Sequence, residues 1–288
     1  MEPNGAVPGE LARGLTAMWK WILSVLACLT IGAPVNAQAP QRVVTVNLCL
    51  DQIALRLAAP GQLVGVSHLA HDPRISVLSD RARAVAPVRA TVESILTLRP
   101  DLAIMDDSSH LNLKRLLRGA GVAILEVPWA ASLDEAEALI ARMASAMGRD
   151  EAGRALIADM QAERGQIMPP GPPFARAAVL QANRGTTGKG SLMDELLRLA
   201  GLRNYAAELG IPAYGRWSLE TVLSGQPDVL VVDGMANANP ARATEFVDHH
   251  ALRSLAGRAR VISVPLRYSI CAGPENLEVV RLLAPARP

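Results

Sequence analysis

The sequence predicts an α/β protein made of two similar lobes with a cleft between them, and three observations predict it. A helix-Pro-Asp-strand unit is written twice, at residues 91–106 and 218–233. Around both copies, apolar runs of strand length alternate with stretches of helical spacing, the pattern of a parallel sheet covered by helices. Between them, helix-forming residues run almost unbroken from Ser132 to Met168 and stop at the cluster Pro169-Pro170-Gly171-Pro172-Pro173. A repeated α/β unit on each side of a helical bridge makes two lobes, and the space between lobes is where a ligand is held.

Each element follows from local residues. Residues 43–47 read as a first strand, 51–58 as a helix and 63–67 as a second strand. Residues 81–90 read as loop with a short strand. The first repeat copy has Thr91 as N-cap, Glu93 in the first helical turn, Pro100-Asp101 and a buried strand at 102–105 leading to Asp106. Residues 111–119 carry helical spacing, Gly121 closes that helix, and 122–127 form the next strand. Ser132-Leu133-Asp134-Glu135 is a capping box that opens the bridging segment, with Gly148 and Gly153 as its weak points. The second lobe starts with a strand at 177–181 and a Gly-rich turn at 184–190. A helix at 191–200 ends at Gly201, and the second copy runs from Ser218 and Glu220 through Pro227-Asp228 to Asp233. A short helix at 249–255, a strand at 261–264 and a terminal helix at 276–283 complete the chain. The expected boundaries are 40–131 for the N-terminal lobe, 132–168 for the linking segment and 174–288 for the C-terminal lobe.

The bulk properties allow this size of molecule and exclude several functions. The 288 residues are 50% hydrophobic, and Lys+Arg 29 against Asp+Glu 27 is close to balance. With no basic run and no aromatic-basic interleaving, nucleic acid is not an expected partner. Residues 21–31 are apolar, follow Lys20 and precede Val35-Asn36-Ala37, so residues 1–37 read as a secretory signal peptide, with Met18 as an alternative start. Cys28 within that stretch is an alternative lipoprotein site. The exported chain is expected in the periplasm.

Taken together, the ordered motifs resemble a known family. Glu93-x-Ile95-Leu96-x-Leu98-x-Pro100-Asp101-Leu102, the linking helix, Ala200-Gly201-Leu202-Arg203-Asn204, Ser218-Leu219-Glu220 through Pro227-Asp228, Val261 to Pro265 and Gly273-Pro274-x-x-Leu277-Glu278 resemble the periplasmic binding proteins of cobalamin and ferric-siderophore ABC importers. The resemblance covers nearly the whole chain after residue 37. It implies two Rossmann-like α/β lobes joined by a single long helix, with the ligand in the cleft and little hinge closure. It implies a ferric siderophore or a corrinoid such as cobalamin as ligand, an ABC permease and ATPase complex in the inner membrane as partner, a monomer, no cofactor and no enzymatic activity. It also implies one surface Glu on each lobe for docking to permease arginines, and Glu93 and Glu220 occupy those positions.

Ligands of open α/β sheets sit beyond the carboxyl ends of the strands, and the loops there hold the candidate site residues. Trp129, Tyr214, Trp217 and Tyr268 stand out in a chain with only Trp 4, Tyr 3 and Phe 2. Flat rings suit a large planar ligand, with Trp129 and Tyr268 expected to face the cleft and Trp217 either there or in the core. Asn183 supplies an amide, and Arg184, Arg216 and Arg267 suit carboxylates or phosphates. His68 and His71 are expected as cleft hydrogen-bonding groups, the alternative being a bare Zn, Mn or Fe site built on both imidazoles. His249-His250 reads as solvent-exposed. Cys49 and Cys271 follow strands of different lobes; a bridge, a thiolate pair for a soft metal and two unpaired half-buried thiols are the alternatives, and unpaired thiols are the expectation.

A periplasmic hydrolase is the competing class. No Gly-x-Ser-x-Gly, His-Glu-x-x-His or Cys-x-x-Cys occurs, and Lys189 is followed by Gly190, which breaks any phosphate-loop spacing.

Overall fold

The computed structural model describes residues 39–167, 175–233 and 257–286. The predicted signal peptide, Cys28, the Pro cluster at 169–173 and the helix expected at 249–255, with His249-His250, lie outside them. From Ala39 onward the chain forms one compact unit. No helix among the described residues is long and apolar enough to cross a membrane.

In the N-terminal lobe, five parallel strands stand in the order β3-β2-β1-β4-β5: β1 (Val43–Thr45), β2 (Leu63–Ser67), β3 (Ala86–Val88), β4 (Leu102–Asp106) and β5 (Ala123–Val127). The C-terminal sheet has four, in the order β11-β10-β6-β8: β6 (Ala175–Leu180), β8 (Leu202–Asn204), β10 (Val229–Asp233) and β11 (Arg260–Val264). A separate antiparallel ribbon pairs β7 (Gly185–Thr186) with β9 (Gly215–Arg216).

The repeat explains why the two sheets match. In each copy a hydroxyl N-cap opens the helix: Thr91 accepts from the Ser94 N–H at the start of α3 (Val92–Leu96), and Ser218 from the Thr221 N–H at the start of α9 (Leu219–Gly225). The Asp of each Pro-Asp then ties its strand to the lobe's first strand. Asp101 accepts backbone N–H bonds from Gln41 (2.7 Å) and Arg42 (3.0 Å), and Asp228 accepts from Arg176 (2.7 Å). Their own backbone groups continue the same ladder: the Asp101 and Asp228 N–H groups donate to the Arg42 and Arg176 carbonyls. The repeated Asp is therefore a register clamp at the foot of each sheet.

Strand alternation buries both faces of both sheets. Val44, Ala103 and Met105 point to an outer core with Ile95 and Leu117; Ala178, Leu180, Leu230 and Val232 point to another with Val222 and Trp217. The inner faces, carrying Val43, Ile104, Ala177, Val229 and Val231, share one continuous core. That core takes in α1 (Leu48–Leu57), α5 (Leu133–Ala146), α6 (Asp150–Ile167), α7 (Leu192–Leu199) and α10 (Asn276–Leu283).

The linking segment corrects one expectation. It is not one unbroken helix over 132–168, because the chain turns at Gly148, which adopts φ +65 and faces Ala39 so closely that a Cβ would stand 2.5 Å from the Ala39 Cβ. A residue in the left-handed region ends a helix. The result is an antiparallel pair in which Gln161 meets Glu137 and Arg164 meets Asp134. Helix α5 packs on the N-terminal lobe, and α6 alone is the long linking helix.

Candidate ligand cleft

The lobes are fastened around the cleft at several points. Cys49 and Cys271 form a disulfide with Cα atoms 5.2 Å apart, which corrects the expectation of unpaired thiols and removes Cys49 as a free ligand or metal thiolate. Two turns further along α1, Arg56 bonds Glu275 at 3.0 Å, and it also donates to the Gln52 carbonyl. Desolvation pushes the Glu275 carboxyl above the usual carboxylate range, with Arg56 opposing that shift. On another side, the Leu133 N–H at the start of α5 donates to Glu195 of α7 at 2.9 Å, and Arg164 joins the same carboxylate at 3.1 Å. Arg267 reaches across to the Pro73 carbonyl at 3.4 Å.

Between these fastenings lies a cavity of about 870 Å³, counting its open mouth. Its floor is the carboxyl ends of C-terminal strands, at Val179, Gln181, Val231 and Val264. The start of α7 and the segment after β11 close its sides, and Trp129 and Ala130 after β5 supply the N-terminal wall. Trp129 is 52% exposed and Tyr214 66% exposed, so two large rings are open to solvent where they border the cavity. Exposed rings beside an apolar cavity are surface that a ligand would cover. None of the described residues lining the cavity carries a charge.

Of the expected residues, the cavity lining brings together Trp129 and Tyr214 and includes none of the others. Tyr268 packs against the shared core, with the Arg267 guanidinium 4.9 Å from its ring centre, rather than facing the cavity with Trp129. Trp217 is core: it is 5% exposed and stands 6.0 Å from the Tyr205 ring beneath α9. Asn183 and Arg184 are exposed, both with φ near +60, on the turn before the β7–β9 ribbon, where Arg216 is also exposed. Arg184 contributes an attraction to Glu220, whose carboxyl is held below the usual range chiefly by the Ser218 hydroxyl. Glu93 and Glu220 are both exposed at matching positions of α3 and α9.

His68 is exposed on a 3-10 turn over His68–His71, and the His71 Nε2 is buried without a partner among the described residues. Asp72 is engaged by Arg74. Among the described residues no group of three or more His, Cys, Asp or Glu converges, so the two imidazoles have no third ligand. Gln181, Thr187 and Met193 line the cavity and were not among the expected site residues. The strand-end rule reaches Gln181 directly; its side chain is hidden in the sequence because the residue reads as the last of a strand.

Two α/β lobes, a long linking helix and a cleft at the strand ends define a binding protein, and the family profile described as "Periplasmic binding protein" matches residues 43–260. The chain belongs to that family and is a binding protein rather than an enzyme. It is 26% identical over 213 residues to a "Cobalamin-binding protein" of Halobacterium salinarum, an alignment covering 72% of this chain and 58% of the relative. Among solved structures, it is similar to the "Periplasmic heme-binding protein RhuT" of Roseiflexus sp. RS-1, with TM-score 0.67 and 24% identity over 85% of this chain and 98% of that one. It is also similar to the "periplasmic Vitamin B12 binding protein BtuF" of Vibrio cholerae, with TM-score 0.61 and 21% identity over 86% and 96%.

Proposed function

We propose that the chain is the extracytoplasmic substrate-binding component of an ABC importer and that its ligand is a corrinoid such as cobalamin. The observation that carries the ligand choice is a cavity whose described lining is uncharged and largely apolar, flanked by Trp129 and Tyr214. A corrinoid offers flat apolar surface and a rim of neutral amides. Haem carries two carboxylates, and a buried carboxylate without a cation is strongly disfavoured. The name of the Halobacterium relative supports the same choice.

In this reading, residues 1–37 direct export, and Glu93 and Glu220 dock the loaded protein to arginines of the permease. Tryptophan-fluorescence titrations with cyanocobalamin, a ferric hydroxamate and haemin test the ligand. Cyanocobalamin is expected to bind tightest, and Trp129→Ala or Tyr214→Ala to weaken it about 10-fold or more, as loss of a buried stacked ring does. Preferential binding of the ferric hydroxamate would make the cargo a siderophore instead.

A further inference from the structure

Apart from the Trp129 indole N–H, the polar side chains of the described cavity lining lie on its C-terminal wall, and two of them that are not fully exposed, Gln181 and Thr187, lack side-chain partners among the described residues. Gln181 follows β6, and its backbone N–H donates to the Gly185 carbonyl at 3.0 Å, which fixes the residue at the sheet's end. Its half-buried side-chain amide borders the cavity and has no hydrogen-bond partner among the described residues. Thr187 borders the same cavity, is 5% exposed, and its Oγ1 is buried without a partner among the described residues. The backbone here is pinned. Asn204 donates to the Thr187 carbonyl at 2.9 Å, and a Cβ on Gly188 would stand 2.0 Å from the Ile211 carbonyl oxygen. A buried hydroxyl and a half-buried amide left unpaired on a rigid wall are groups a ligand would satisfy.

The chemistry of the pair narrows that ligand's rim. A primary amide presents an N–H and a C=O in one plane, so it is self-complementary to another primary amide. A carboxylate in the same place accepts the N–H but sets its second oxygen against the Gln181 Oε1. No charged side chain among the described lining residues offsets that repulsion. We propose that Gln181, with Thr187 beside it, is a specificity-determining residue that pairs with a neutral carboxamide on the ligand's periphery and discriminates against a carboxylate there. The assignment rests on the corrinoid reading and deepens it by naming which substituent is read and by which side chain.

The test compares cyanocobalamin with its monocarboxylic acids, in which one peripheral amide is hydrolysed, on wild type, Gln181→Leu, Gln181→Asn and Thr187→Val. Wild type is expected to prefer the intact amide by about 10-fold or more over the acid that alters the contacted position. Gln181→Leu should weaken cyanocobalamin about 10- to 100-fold and erase that preference, the size of a buried polar pairing lost. Gln181→Asn retains the amide on a shorter arm and should keep part of the preference, while Thr187→Val should weaken binding less than Gln181→Leu. Thermal melts establish that each variant is folded. Cyanocobalamin binding within twofold of wild type in Gln181→Leu, with the acid preference unchanged, overturns the role of Gln181 and leaves the corrinoid reading intact. Wild type that binds no corrinoid overturns both.

Discussion

Asp51 shows how one buried carboxyl shapes the pH response of the whole protein. It lies beneath the first turn of α1, accepting from the Thr45 hydroxyl and from the Ser67 hydroxyl and N–H. Burial raises its pKa to about 6 despite those donors. The unfolded chain ionises near 3.8, so the native state holds the proton more tightly between these values. This group therefore destabilises the fold above pH 6, and the penalty fades as pH falls through 6 toward 4. Two units correspond to about 3 kcal/mol. Asp51→Asn keeps the shape, since an amide oxygen accepts from Ser67 and the Thr45 hydroxyl turns to accept from the amide. Urea unfolding should find the variant more stable than wild type at pH 7.5, by an amount that shrinks toward zero near pH 4. A constant difference across that range would show that ionisation is not its cause.

At this scale the sequence was least transparent. The place of Trp129 in the cavity lining was legible, because the strand-end rule puts the residues just after β5 there. Trp217 was not, because an aromatic three residues before a repeat Glu is compatible with either face of the ribbon, and only Tyr205 and the inner side of α9 decide that it is core. Cys49 and Cys271 were correctly placed at strand ends of opposite lobes, but pairing depends on a 5.2 Å separation that no spacing encodes.

The elements themselves were far more legible, because their signals are local. The duplicated N-caps, the Gly201 stop and the apolar strand runs each act within a few residues. The break at Gly148 was read only as a weak point, since what fixes its left-handed backbone is a turn packed on Ala39, far away in sequence. The repeat also yields a paired prediction for its elements. Thr91→Ala and Ser218→Ala each remove the acceptor for one otherwise open helix-end N–H and should each cost about 1 kcal/mol by denaturant unfolding. The two helices cover separate outer cores, so the double variant should show the sum of the single effects. A marked departure from additivity would mean that the outer cores are coupled.

Across the whole molecule, the lobes behave as one packed body, because their inner faces share a core and α1 is bound to residues 271–275 both covalently and by Arg56–Glu275. In the proposed docking role, a protein so fastened would present Glu93 and Glu220 at a fixed separation, which suits paired Glu knobs against a two-fold permease. Glu93→Arg combined with Glu220→Arg should leave ligand affinity and unfolding midpoints nearly unchanged while abolishing uptake in cells that depend on the cognate importer. Normal uptake would reduce both residues to helix-end charges. The bridge should matter for stability. Closing residues 222 apart constrains the unfolded chain by up to about 5 kcal/mol in the chain-entropy account. Cys49→Ser with Cys271→Ser should lower the urea midpoint accordingly while retaining ligand binding, because the shared core and ion pairs persist.

The same bridge turns most of the polypeptide into a covalent ring. Any single peptide bond cut between Cys49 and Cys271 opens the ring without parting the molecule, since the severed ends remain joined through sulfur. Limited proteolysis should therefore give a species that migrates near full length under non-reducing electrophoresis and falls into two fragments once reductant is added. For a protein working outside the cytoplasm among proteases, damage to a surface loop is then a nick in a closed circuit, and the two walls of the cleft stay with the same molecule.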